Sequence, residues 1–462
     1  MGGLMDLDDW QDVVSMCPFA YQRRSDRVGA IDQLQGSKLC LRVTLWLTIA
    51  GLLSGCAGAR YERGVSAFDA ADAPVHMVSA EAPSPDLVSA HVTVRAGSAH
   101  DPTGYAGVAW ATAHAVSERG EAVLDAVDGQ ITVHVGKELV SFHLEAPATA
   151  EASLTGALRD MFDLSSLEDS DLEDRRAAGV KWLTEGLATD AGRLADAAFE
   201  RWVFEGHPYA LPVQGRASGL SRVDARTVQR FKAERYIRPS LSVEVRGAKQ
   251  PEAIQAALST APSKLYVDVT PRPVSPVKSH EVLLVVHELS STGLVLGHPL
   301  HLRPGHEDWT ALMFGLSALS ADPGAAMAEL LSREDAVFRM RLMSAEPRAG
   351  AALFDSGMSR ASSFVSNGLS QERFTTTQSA LTSSLASTTT YGMRSRARLM
   401  GRPTPADLAD RIRKLTLEQV NAALAKHIDP GALRVVMTGR ADAFDGLTFE
   451  TAHRVDGADL FE

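Results

Sequence analysis

An α+β fold of two homologous domains is predicted by three observations. Short alternating strands and longer helices succeed one another along the chain, and a proline-rich stretch, Pro262–Ser279, divides it. The two halves also close on one pattern. A helix leads into Tyr236-Ile-Arg-Pro-Ser-Leu-Ser-Val-Glu-Val-Arg-Gly247 in the first and into His427-Ile-Asp-Pro-Gly-Ala-Leu-Arg-Val-Val-Met-Thr-Gly439 in the second. A repeat at roughly 190 residues is a duplicated domain, since solenoid units run about 20–50 residues.

Residues 1–56 stand apart from the folded body as a leader. Lys38 and Arg42 precede the apolar run Val43–Leu53, too short to span a bilayer and of signal-peptide length. Leu53-Ser54-Gly55-Cys56 follows and resembles the lipobox of bacterial lipoproteins. That resemblance makes Cys56 the lipidation site and the mature N-terminus. With Ala57 after the anchor, it implies an outer-membrane lipoprotein of the cell envelope, facing the periplasm. Cys17, Cys40 and Cys56 are the only cysteines, which excludes a disulfide framework, a cysteine-ligated zinc site and a cysteine nucleophile in the mature body. A net charge of −11 with no basic stretch excludes nucleic acid as a partner.

Residues 57–74 read as a tether. The first domain spans 75–261, residues 262–279 form the linker, and the second domain spans 280–462. Within the first, Val88, Ala90, Val92 and Val94 share one face of a strand. Asp101-Pro102-Thr103-Gly104 breaks it, and Ala106–Val116 reads as a helix. Ile131–Val135 and Val140–Leu144 form a hairpin, followed by helices at 148–164, 172–189, 192–204 and 223–235 and a strand at 241–245. In the second half, strands are expected at 281–288, 292–298 and 433–437. Helices are expected at 307–320, 369–386, 393–399, 405–415 and 417–427, with a charged helix around Leu331–Phe338.

Gly97-Ser98, Asp101-Pro102 and Gly104-x-x-Gly107 before a helix, then Gly206-His207-Pro208-Tyr209, Gly215 and Tyr236-x-x-Pro239, follow in a fixed order. In that order they resemble the insulinase-like metallopeptidase family (M16), with its pitrilysin and processing-peptidase branches, over nearly all of the mature chain. The resemblance implies two domains of the metallohydrolase type, each a mainly antiparallel sheet packed with helices. Active relatives carry His-x-x-Glu-His on the helix after the glycine turn. Its two histidines share one helix face and one zinc, and its glutamate activates the metal-bound water.

Here that motif becomes Trp110-Ala111-Thr112-Ala113-His114. Trp110 stands at the first ligand position and offers no acceptor nitrogen. Ala113 stands at the general base, whose loss costs about 10²–10⁴-fold in rate. His114 remains, and Glu185 best matches the later glutamate ligand. One imidazole and one carboxylate fall short of three protein ligands, so no zinc cofactor and no autonomous catalytic residue are expected. His114 also reads as a hydrogen-bonded interior residue, and Glu185 as a solvated-face residue. His207 reads as a packing corner. A metal site among His298, His301 and His306 follows no ligand spacing. Arg333 stands about where relatives hold the substrate backbone, but their Gly-Leu-x-Tyr segment is absent.

Three functions compete. The resemblance favours a non-catalytic partner subunit, because relatives build a peptidase chamber from four domains and this chain has two. Its partner would then be an active family member with intact His-x-x-Glu-His, and its ligands peptide substrates. The alternatives are a stand-alone peptide-binding or structural envelope lipoprotein without metal, and an enzyme with a rebuilt site.

Overall fold

The computed structural model describes residues 75–460 apart from 81–83, 188, 265–280, 301, 303–305, 321–326, 332–335, 387–391, 401 and 450. Cys56, the leader, the tether, Arg333, His301 and nearly all of the linker expected at 262–279 lie outside the described residues.

The first sheet joins β1 (His76–Ala80), β2 (Leu87–Val94), β3 (Gln130–Val135), β4 (Val140–Pro147) and β5 (Leu241–Arg246) in the order β1-β5-β2-β4-β3. Only the β1–β5 pair is parallel. The second joins β6 (Glu281–Val286), β7 (Thr292–Leu300), β8 (Met327–Leu331), β9 (Ala336–Ser344), β10 (Arg434–Gly439) and β11 (Ala452–Asp456) as β11-β6-β10-β7-β9-β8. Without the edge strand β11, this order maps strand for strand onto the first, parallel β6–β10 pair included. The α+β duplication expected from the sequence is therefore present in the topology.

The segment read as a charged helix around Leu331–Phe338 has antiparallel strands at its described ends instead, Leu331 in β8 and Ala336–Phe338 in β9. In β9, Phe338, Met340 and Leu342 alternate with Arg339 and Arg341, a period of two that serves two different packing faces. A helix at Gly350–Asn367 was also not foreseen.

Helices α1 (Val108–Leu124), α2 (Glu151–Met161), α3 (Glu173–Lys181), α4 (Ala191–Val203), α5 (Ala225–Arg235) and α6 (Pro251–Leu258) belong to the first half. The second contributes α7 (Trp309–Ser320), α8 (Gly350–Asn367), α9 (Gln371–Ala386), α10 (Met393–Leu399), α11 (Pro405–Arg413) and α12 (Leu417–His427). Val88, Ala90, Val92, Phe142 and Val243 are fully buried in one core with Val108, Leu154 and Leu158. That burial of apolar area is what holds α1 and α2 on the sheet.

Each half lends a helix to the other. Helix α4 lies across β7 and β10, with the Thr438 hydroxyl donating to Ala191 O at 2.6 Å. Glycine is needed beneath it, since a Cβ on Gly293 would stand 2.6 Å from Ala191 O and one on Gly297 would stand 2.9 Å from Phe199. Helix α10 lies on the first sheet in return. Its Ser395 N–H donates to Glu244 at 2.8 Å, and the Ser242 and Ser395 hydroxyls are 2.9 Å apart. Helix α4 covers one face of β7 and α8 the other, where Gly357 packs on Leu294 and Leu296, and all nine residues of β7 are buried.

Candidate active-site region

The Gly-rich turn sets the start of α1. Asp101 accepts the N–H of Gly107 at 2.5 Å and of Ala109 at 2.8 Å, satisfying amides that a helix start leaves open. Gly107 itself has φ 103°, and a Cβ there would stand 2.4 Å from Gln214 O. Burial pushes the Asp101 carboxyl up to about 7, against the two amide donors and Lys137, which favour its charged form.

From that turn α1 presents Trp110, His114 and Glu118 on one stripe, because residues four apart lie one above the other. Helix α3 runs against it. The indole of Trp110 is buried and its ring centroid lies 4.6 Å from that of His114. Across from it is Gly179, where a Cβ would meet Cζ3 of Trp110 at 2.9 Å and a Leu220 methyl at 2.9 Å. One turn further along, Glu118 and Arg175 form an ion pair between the two helices. The space between the helices at this level is filled by an indole against a glycine.

His114 is half-buried. Desolvation pulls its imidazole down to about 3, with smaller contributions from Arg175 and His134, so it is neutral at pH 7. Ala113 is fully buried and offers only a methyl group. Glu185 sits in a π-helical turn, Trp182–Gly186, that extends α3; its side chain is exposed and lies 3.8 Å from Lys181. Among the described residues, neither His114 nor Glu185 joins a group of three side chains placed to share a metal ion. His207 accepts the Tyr209 N–H at 3.0 Å and packs on the rings of Phe204 and Tyr209, as a corner would.

A polar layer that the sequence reading passed over covers the far face of the first sheet. His91 and His143 lie 6.1 Å apart between ring centroids, beside Glu244 and beneath α10. Burial, with His143, Arg396 and other cations nearby, pulls His91 down to about 3. The signal was available: Ser89, His91 and Thr93 alternate with the valines that were noted.

No family model matches the sequence, and no curated protein matches it. Solved structures do resemble it. The inactive domain of peptidase M16 from Pseudomonas fluorescens superposes with a TM-score of 0.70 at 16% identity, covering 79% of this chain and 95% of that one. A protease from Helicobacter pylori gives 0.67 at 12% identity, covering 78% and 96%. An M16-like protein from Alicyclobacillus acidocaldarius gives 0.61 at 16%, covering 79% and 96%. At these identities the likeness establishes a shared two-domain α+β fold, and the fold alone.

Proposed function

We propose that this chain is a non-catalytic homologue of the insulinase-like (M16) zinc peptidases, acting as partner subunit to an active metalloendopeptidase in peptide binding and proteolysis. The observation that carries the reading is the Trp110 indole packed against Gly179 on the helix face where relatives hold zinc and its water. A side chain of that volume leaves no room for the metal, and Ala113 beside it has no group to take a proton. His114 survives as a neutral ring against the indole. Loss of two functional groups together with a glycine that accommodates the replacement favours a site remade over one simply eroded.

Peptide binding needs less than catalysis. Strand β3 is the edge of its sheet and pairs with β4 alone among the described residues. Such an edge offers backbone donors and acceptors to an extended peptide. Lipid anchoring through Cys56 would place the chain on the outer membrane facing the periplasm, in reach of a soluble or anchored partner.

Restoring the motif tests the placement of α1. The double substitution Trp110→His with Ala113→Glu should give zinc retention that disappears when His114→Ala is added. Retention unaffected by His114→Ala, or no gain at all in a folded double variant, overturns this reading of the helix.

A further inference from the structure

A second constellation lies on the other half, far along the sequence from α1. His306 and Asp308 precede α7, and His427 is the last residue of α12. His427 Nε2 lies 2.8 Å from Asp308 Oδ2, His306 Nδ1 lies 3.8 Å from the same oxygen, and the two imidazole centroids are 5.6 Å apart. One ligand atom from each residue falls within 4.8 Å of the other two. Around a tetrahedral zinc with bonds near 2.0–2.2 Å, neighbouring ligand atoms stand about 3.3–3.5 Å apart. Side-chain adjustments of under an ångström would therefore bring all three onto one ion.

We propose that His306, Asp308 and His427 form a binding site for a divalent transition metal of the zinc class, with the remaining coordination positions open to water. Two imidazoles and one carboxylate suit that class, whereas calcium and magnesium prefer all-oxygen sets. The backbone is held in place without the ion. Asp308 accepts the Leu312 N–H through its carbonyl at 2.9 Å, starting α7, and Gly315 of α7 packs directly on Leu424 of α12. Beyond the end of α12, Asp429 N–H donates to His298 of β7 at 3.1 Å. Asp308 and His427, 119 positions apart in the chain, thus meet through two packed helices, as a preorganised site requires.

Lys426 competes for the site. Its ammonium donates to Asp308 Oδ2 at 2.6 Å, and its side chain is more than half exposed. The same carboxylate oxygen lies 2.8 Å from His427 Nε2, so the lysine and the imidazole converge on one ligand atom. The exposed lysine is free to swing into water when a dication takes its place. Its removal should therefore strengthen binding, an effect that a plain surface ion pair would not produce.

The test is equilibrium dialysis of the untagged full chain against zinc sulfate, with cobalt substitution read by its visible absorption. One metal ion per chain is expected. His427→Ala and the exposed His306→Ala should each weaken binding at least roughly tenfold, since even outer-shell changes cost that much. Lys426→Ala should tighten it by about five- to tenfold through relief of like-charge repulsion. His114→Ala should change nothing, which separates this site from any metal held at α1. Absence of metal, stoichiometry that survives both histidine variants, or weaker binding in Lys426→Ala overturns the proposal. Thermal melts without metal check that each variant is folded.

Discussion

Helices α1 and α7 occupy the same place in the two halves, each following the second strand and preceding the hairpin of its sheet. Helix α7 is buried along its whole length and almost wholly apolar, from Trp309 to Ser320. Helix α1 carries a buried tryptophan, a half-buried histidine and a glutamate on one stripe facing α3. A helix whose only task is to seal a sheet looks like α7. The stripe on α1 is therefore an addition to the packing requirement, and its tryptophan fills the space against Gly179 of α3. The helices that cross between halves differ in a parallel way. Helix α10 is tied down by hydroxyl and amide hydrogen bonds, whereas α4 buries carboxylates against arginines of β9.

The largest effect should come from that buried charge cluster. Arg339 lies 3.3 Å from Asp196 and 3.1 Å from Glu200, with all three side chains nearly inaccessible. Arg339→Met should destabilise by about 3–5 kcal/mol in urea unfolding, because it strands buried carboxylates. Lys137 also pairs with Glu200 at 3.0 Å and Arg341 with Asp196, and a cost below about 1 kcal/mol would mean that these two cations carry the acids unaided.

Filling the glycine opposite the indole comes next. Gly179→Val should cost about 1–3 kcal/mol, toward the upper end because Leu220 closes the other side. The indole's share of the cost should vanish in a Trp110→Ala background and that of Leu220 should remain, so a double-mutant cycle reads the indole contact directly. Equal costs in both backgrounds would show that the indole and the glycine are not matched.

The smallest effect is in pH dependence. Burial holds His100 down to about 3 in the folded chain, while the unfolded chain takes up the proton near 6.5. The unfolded state binds the extra proton between these values, so stability is complete above about 6.5 and falls as pH drops toward 3. At pH 5 His100 alone should cost up to about 2 kcal/mol relative to pH 7, and His100→Gln should flatten the slope by that amount. Asp101 has the opposite slope, since its folded carboxyl keeps a proton up to about 7. Asp101→Asn should accordingly steepen the fall toward acid.

Much of the fold was legible because local signals and packing agree. Met393–Leu399 and Leu417–His427 were read to the residue. Helix α1 was placed by its glycine turn but runs on to Leu124, since Glu118 continues the stripe and finds Arg175. The charged helix expected around Leu331–Phe338 rested on Arg333, Glu334 and Asp335 and gave no place to Arg339 and Arg341. Only the acids of α4, more than a hundred residues earlier, explain why they are buried. The site divides the same way. The spacing from Trp110 to His114 is local and was visible; the glycine facing the indole and the meeting of Asp308 with His427 arise from tertiary packing, which no periodicity encodes.

The central claim is that this chain supplies a scaffold while another supplies the zinc chemistry. Native mass spectrometry of the full chain extracted gently from membranes tests it most directly. The expected result is a heteromeric complex with a family member bearing intact His-x-x-Glu-His, peptide hydrolysis by the pair, and none by this chain alone. Recovery of a monomer or self-dimer that hydrolyses peptides unaided, with activity lost in His114→Ala, would contradict it.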